Sequence, residues 1–276
     1  MKAYPDIPTL GVVAYLQDPL AGKSSWVVEA VQSCLARLTT SLAEVSVMAQ
    51  RVGGKQRPRW KRLTAEILSS TIEDDEVADV NLLIGSPEEV KCAAHLALRS
   101  RTSPRDVRDG PFELSVLCET SSWQPDLIAS TWRELLASAC SQSNLLSGGI
   151  FRTPTMLRAF AEIDHHITVH GQVDPYPCPA GDLPFDRWTK ARRLYPITLL
   201  GPKLASQLSA ADALAAGALS VQELNGSLLI DAYPTVVETW DPEYLRATVT
   251  LRKWLWPHTI QNPTDAVGLG LKLPRR

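Results

Sequence analysis

The clearest pattern of apolar and polar positions lies in residues 194–237 and predicts a strand, a helix and then a β-hairpin. A short apolar run, ITLL, ends at Gly201-Pro202, as buried strands often do. Pro202 can begin the next helix, because an N–H in the first turn has no partner inside the helix. Two β-type segments then flank Asn225-Gly226, and both residues tolerate the positive φ of a type I′ turn. We therefore expect a tight hairpin at this dipeptide.

The earlier segments alternate in the same way between strand-like and helix-like patterns. Apolar residues recur every three or four positions after Gly22, which indicates an amphipathic helix. Residues 90–99 are rich in Ala and Leu and would allow a helix, but we predict a strand because residues 112–118 can return as its hairpin partner. The predicted strands before residue 194 are Leu10–Leu16, Val45–Ala49, Val80–Ile84, Val90–Arg99, Phe112–Cys118 and Ala161–His170. The predicted helices are 27–42, Trp60–Ser69, 125–139, Asp186–Leu194, 202–208 and 241–255.

This order of elements predicts an α+β fold, in which antiparallel or mixed sheets are flanked by helices. A chain of 276 residues can bury the core of a single domain that covers residues 1–276. The two halves have a similar order of strands and helices, so two similar lobes at 1–145 and 155–260 are an alternative. Residues 141–154, rich in Ser and Gly, are the predicted boundary, and residues 261–276 are predicted to form a partly mobile tail.

Composition narrows the expected partners and location. A net charge of −2 gives no bulk attraction to nucleic acid or to a membrane surface. No apolar run approaches the roughly 20 residues of a membrane span, and the N-terminal residues do not resemble a secretory signal. The five cysteines are scattered, which favours free thiols in a reducing compartment. We therefore expect a cytoplasmic protein with no direct nucleic-acid partner and no membrane partner.

A cluster of histidines in residues 164–170 is the strongest candidate for a metal site. On a strand, Asp164, His166 and His170 would share a face, and two His with one Asp can bind zinc. The two histidines would nevertheless lie about 13 Å apart along that strand, too far to share one ion. No cysteine has an activating base nearby in the sequence. We therefore predict no catalytic residue, metal or cofactor, with a metal-dependent hydrolase at this cluster as the alternative.

Two charged segments and the tryptophans are candidates for binding. Residues 57–62, RPRWKR, are interpreted as the polar entrance to a short helix, with RNA binding as the alternative. Residues 73–76, EDDE, are either a solvated loop or a patch for a basic partner. Most of the eight tryptophans should be core residues, but Trp240, Trp254 and Trp256 lie near predicted helix ends. An exposed indole at such a position would suit a protein interface.

The C-terminal third of the chain resembles the immunity-protein-52 family, which is similar to other immunity proteins of bacterial type VI secretion systems. The residues that carry the resemblance are ITLLGPKLASQL, VQELNGSLLIDAYP, the helix DPEYLRATVTLRKWLWP and the closing HTIQNP. The order of the preceding elements, with QPDLIASTW beginning a helix, is also similar. No short diagnostic motif is part of the resemblance.

The resemblance implies a cytoplasmic, non-enzymatic protein that binds and neutralises a toxin encoded beside it. Toxins paired with this family are often nucleases of the restriction-endonuclease type, and the family implies no fixed catalytic residues. A nuclease presents a basic groove, so carboxylates of the inhibitor can occupy the positions of phosphates. The acidic run and the charged loop 100–111 are therefore the predicted toxin-binding sites, with these residues: Glu73, Asp74, Asp75, Glu76, Asp106 and Asp109.

Overall fold

One antiparallel sheet extends through both halves of the chain. The computed structural model describes residues 8–18, 20, 22–37, 46–51, 57–59, 63–74, 77–84, 94–99, 112–120, 124–142, 144–155, 158–159, 162, 189–260 and 268–271. Its strands are β1 (Thr9–Leu16), β2 (Ser46–Arg51), β3 (Arg57–Arg59), β4 (Val77–Ile84), β5 (Ala94–Arg99), β6 (Phe112–Glu119), β7 (Leu145–Thr153), β8 (Ile197–Leu200), β9 (Ser220–Leu224) and β10 (Ser227–Asp231). These ten strands lie in the order β3-β2-β4-β5-β6-β1-β7-β8-β10-β9, and each is antiparallel to its neighbours.

Helices cover both faces of this sheet. The helices are α1 (Ser24–Arg37), α2 (Ala65–Glu73), α3 (Pro125–Ala139), α4 (Pro202–Ala205), α5 (Ala210–Ala215), α6 (Pro242–Ala247), α7 (Val249–Leu255) and a 3-10 turn at Trp256–His258. Alternate residues of β1 point to opposite faces: Val12 packs with α1–α3, and Val13 packs with α4, α5 and α7. The result is a sheet between two helical layers, and the predicted α+β fold is confirmed.

The β9–β10 hairpin forms at the predicted dipeptide. Asn225 and Gly226 have φ values of 50° and 79°, and Leu224 pairs with Ser227 across the turn. The predicted pairing of residues 94–99 with 112–118 is also confirmed, because β5 and β6 are hydrogen-bonded neighbours. Turn chemistry and cross-strand packing, rather than helix propensity, decide the structure in both places.

Several features differ from the sequence predictions. Residues 57–59 form strand β3 and not the entrance to a helix, since α2 begins only at Ala65. The start of α2 is fixed by Thr64, whose Oγ1 accepts a hydrogen bond from the Ile67 N–H at 3.2 Å. The helix predicted over 241–255 is divided in two at Thr248, whose hydroxyl donates to the Tyr244 carbonyl at 2.7 Å.

The segment predicted to be a boundary, residues 141–154, contains the central strand β7. Its glycines allow neighbouring groups to approach closely: a Cβ on Gly149 would lie 2.1 Å from Cδ2 of Tyr195, and one on Gly148 would lie 2.5 Å from the Val13 carbonyl oxygen. Glycine here therefore reflects close packing in a strand and not a flexible linker. The extent of the single domain, its two-lobe alternative and the tail remain predictions.

The predicted strand Ala161–His170 lies outside the described residues except for Glu162, which is helical. The helix predicted over Asp186–Leu194 is wrong in its described part: residues 189–194 form a turn and a bend, and Ala191 makes an isolated β-bridge with Thr259. None of the helices in the described part of the chain has both the length and the apolar character required to cross a bilayer.

Candidate functional site

The acidic run lies at the C-terminal end of α2. Glu73 is the last residue of this helix, and its two carboxylate oxygens accept the Gly22 N–H at 3.0 and 2.8 Å. Asp74 follows as the C-cap, and its carbonyl accepts the Val77 N–H at 3.0 Å. The structure thus brings these two predicted site residues together on the surface beside the β1–α1 turn. The other four, Asp75, Glu76, Asp106 and Asp109, lie outside the described residues.

These carboxylates are poorly placed for the stability of α2. The last carbonyls of a helix carry partial negative charge, and an acidic group there costs about 0.3–1 kcal/mol when exposed. No basic residue is present in the last turn of α2 to offset this. Glu73 gains its bond to Gly22, whereas helix stability gives no reason for the acidic residues that follow it.

A second arrangement, which the sequence analysis did not assign, joins a buried ion pair to an exposed indole. The Arg193 Nε lies 3.2 Å from the Glu162 Oε1, and these two side chains are only 10% and 8% exposed. The guanidinium carbon of Arg193 lies 5.0 Å from the ring centroid of Trp240, within cation–π range. Trp240 itself is 45% exposed. In the sequence, the only indication of this arrangement was the position of Trp240 directly before Asp241-Pro242.

The loop that carries Trp240 is held on both sides. Before it, the Arg152 N–H of β7 donates to the Val237 carbonyl at 3.3 Å. After it, the Asp241 carboxylate caps α6 by accepting the N–H groups of Glu243 and Tyr244, both at 2.9 Å. The indole is therefore presented from a fixed backbone.

Acidic and aromatic groups surround this loop. Partial desolvation and the carboxylates of Glu243 and Asp241 raise the pKa of the Tyr233 phenol above its ordinary value. Tyr233 packs edge-to-face on Tyr244, with ring centroids 5.6 Å apart. The Tyr244 hydroxyl donates to the Leu194 carbonyl at 3.0 Å, and burial raises its pKa. Tyr244 is thus a structural support of the surface that Trp240 and the carboxylates form.

A shallow cleft lies next to Trp240. Its polar lining comes from two guanidiniums and two threonine hydroxyls, and its apolar lining from two indoles and leucines. The lining residues are Arg193, Leu194, Thr239, Trp240, Arg252, Leu255, Trp256, Thr259 and Leu269. The guanidiniums stay protonated at neutral pH, so they can bind anions but do not serve as general acids or bases. This set of groups therefore suits binding rather than acid–base catalysis.

The groups expected for catalysis are not brought together in the described part of the chain. No set of three potential metal ligands from His, Cys, Asp and Glu occurs among those residues. Asp164, His166 and His170 lie outside them. Cys34, Cys118 and Cys140 are buried free thiols, and burial together with the Glu134 charge raises the pKa of Cys34 to about 12. A thiol with so high a pKa is not a nucleophile at neutral pH.

Comparison with known proteins gives a structural likeness but no match in sequence. No family model matches the chain, and no curated protein sequence matches it. Among solved structures, the chain is similar to the Pseudomonas aeruginosa T6SS protein PA0821, with a TM-score of 0.57 and 11% sequence identity. The likeness covers 94% of this chain and 75% of that one. At this identity it establishes a shared fold, and the resemblance to the immunity-protein-52 family remains a prediction.

Proposed function

We propose that this chain is an immunity protein that binds a cognate effector toxin of a type VI secretion system and neutralises it in a stoichiometric complex. The observation that carries the proposal is the fold shared with a T6SS protein over 94% of the chain. The sequence resemblance to the immunity-protein-52 family supports the same role. In this proposal the protein acts in the cytoplasm, has no enzymatic activity and needs no cofactor.

The proposed toxin is a nuclease, which presents a basic groove for the phosphates of its substrate, and carboxylates are the groups that such a groove attracts. The acidic run at the end of α2 would supply them, since Glu73 and Asp74 lie together on the surface. Opposite charges at an interface chiefly raise the association rate and fix the orientation of the partners.

A binding measurement tests the proposal. The chain would be produced together with the product of the gene beside it, and the pair would be examined by size-exclusion chromatography with light scattering. The proposal predicts a complex of fixed stoichiometry that survives dilution to nanomolar concentrations. If the two proteins elute separately at micromolar concentration, the proposed function is wrong.

The two alternatives make different predictions. A metal-dependent hydrolase at Asp164, His166 and His170 would retain about one zinc per chain after purification. An RNA-binding protein would bind generic RNA through residues 57–62, with strong dependence on salt.

A further inference from the structure

We propose that the surface around Trp240 is the principal contact for the toxin, and that it receives a Lys or Arg side chain of the toxin between the indole and neighbouring carboxylates. We call this surface the Trp240 patch and define it as Tyr233, Glu238, Trp240, Asp241 and Glu243. This inference rests on the proposed function and adds to it the location and chemistry of the contact.

The first argument is the exposure of a rigid indole. Trp240 is 45% exposed, whereas Trp132 is fully buried and the other described tryptophans, Trp26, Trp254 and Trp256, are half-buried. Tryptophan is enriched among the residues that dominate binding energy at protein interfaces. An indole already fixed in its bound position loses little conformational entropy when a partner docks.

The second argument is the structure that holds the indole in place. Removing Glu162 and Arg193 from water carries a large desolvation cost, which their mutual attraction only partly offsets. Stability alone therefore gives weak reason for this buried pair. The pair does fix the guanidinium against Trp240, while bonds at Val237 and Asp241 fix the loop on either side.

The third argument is charge. Three carboxylates, those of Glu238, Asp241 and Glu243, lie within three residues of Trp240 in the chain. Those of Asp241 and Glu243 act on Tyr233 against the opposite effect of the Arg246 guanidinium, so acidic groups outnumber basic ones there. Glu162 balances the charge of Arg193 behind the ring. A cation is attracted both by carboxylates and by the face of an indole. The partner that fits is therefore a basic protein surface.

The Trp240 patch and the acidic run can be tested separately, because they lie in different layers. The end of α2 belongs to the layer formed with α1 and α3, and Leu68 and Ile72 of α2 pack in the core on that side. Leu194 and Leu255, which line the cleft beside Trp240, belong to the core on the opposite face of the sheet.

The experiment measures the affinity of the purified neighbouring-gene product for variants of this chain by surface plasmon resonance. Trp240→Ala should raise the Kd by about thirtyfold or more, as expected for a residue that dominates an interface. Glu243→Lys should raise it about tenfold, mainly by slowing association at low salt. The matched control is Leu219→Ala, since Leu219 is 56% exposed and lies outside the patch; its Kd should change less than threefold.

The outcomes separate the two proposals. Wild-type affinity for both Trp240→Ala and Glu243→Lys would overturn the Trp240 patch and leave the proposed function intact. Absence of binding by the wild-type chain would overturn the proposed function and this inference with it. Circular dichroism melting of each variant excludes unfolding as the cause of a loss, and Glu243 is exposed, so its variant should fold normally.

Discussion

The Arg193 guanidinium lies between Glu162 and Trp240, with its Nε 3.2 Å from the carboxylate and its central carbon 5.0 Å from the centre of the indole ring. One side chain thus connects a nearly buried acid to an exposed aromatic residue. The geometry makes Glu162 a positioning residue for a surface that it does not itself reach.

Glu162→Gln should strongly destabilise the protein. The substitution leaves the Arg193 charge nearly buried without its ionised partner, and breaking a buried pair in this way typically costs about 3–5 kcal/mol. Urea unfolding followed by circular dichroism measures the change. Glu134→Gln is the matched control: Glu134 pairs with Arg37 at 3.2 Å, but both side chains are about half exposed, so the loss should stay below about 1 kcal/mol. Equal losses for the two variants would contradict this account.

The ion pair between Arg133 and Asp231 should make stability depend on acid pH. Arg133 on α3 donates to both carboxylate oxygens of Asp231 on β10, at 2.6 and 2.9 Å, and Ser220 donates a further bond. Burial raises the pKa of Asp231, but these hydrogen bonds and the Arg133 charge outweigh burial and hold it below its ordinary value. The stabilisation is therefore present above the unfolded pKa of about 3.9 and is lost as the pH falls through the lower folded value.

Asp231→Asn tests this dependence. The variant should be less stable at pH 7 by about 1.5–3 kcal/mol, the range for hydrogen bonds to charged groups. The difference from the wild type should shrink as the pH falls below about 4. Unfolding curves at a series of pH values measure it, and a difference that stays constant down to pH 2 would argue against the pair as its source.

Gly149→Ala should destabilise the sheet at its centre. The new Cβ would lie 2.1 Å from Cδ2 of Tyr195, whose ring packs on Phe151, so strand β7 or the tyrosine must move. Crowding of this kind in a packed core costs about 1–3 kcal/mol. Gly268→Ala is the control, because a Cβ there meets nothing within 4 Å and its φ is ordinary. A thermal shift assay compares them, and an unchanged melting temperature for Gly149→Ala would show that the contact is absent.

Reversing the charge of the acidic run should weaken toxin binding, and this effect should be purely electrostatic. The variant Asp74→Lys, Asp75→Lys, Glu76→Lys keeps Glu73 and its bonds to Gly22. We expect slower association with the toxin at low salt and a smaller effect at high salt. Glu66→Lys, exposed near the other end of α2, serves as the control for charge. Unchanged affinity and salt dependence would exclude the run from the interface.

The parts of this fold that follow from the sequence are those that local chemistry decides. Asn225-Gly226 admits few structures other than a tight turn, and the pairing of β5 with β6 follows from two compatible segments. Gly148 and Gly149 led to the wrong prediction of a boundary, because glycine occurs both in flexible linkers and at crowded positions in strands. Only the position of the Tyr195 ring, distant in sequence, distinguishes the two cases.

The candidate site was harder to predict for a similar reason. The acidic run is contiguous and visible in the sequence, whereas Glu162, Arg193 and Trp240 are separated by 31 and 47 residues. Their ion pair and ring contact exist only after folding brings them together. The proposed role of Trp240 depends on its exposure, which the sequence does not specify.

Growth of bacteria that express the neighbouring gene product tests the central claim most directly. Cells would carry that gene under an inducible promoter, with this chain, its Trp240→Ala variant or an empty plasmid. We predict that the gene product alone stops growth, that the wild-type chain restores it, and that Trp240→Ala restores it only when expressed at a higher level. Growth arrest that the wild-type chain, produced in excess, does not relieve would contradict the account.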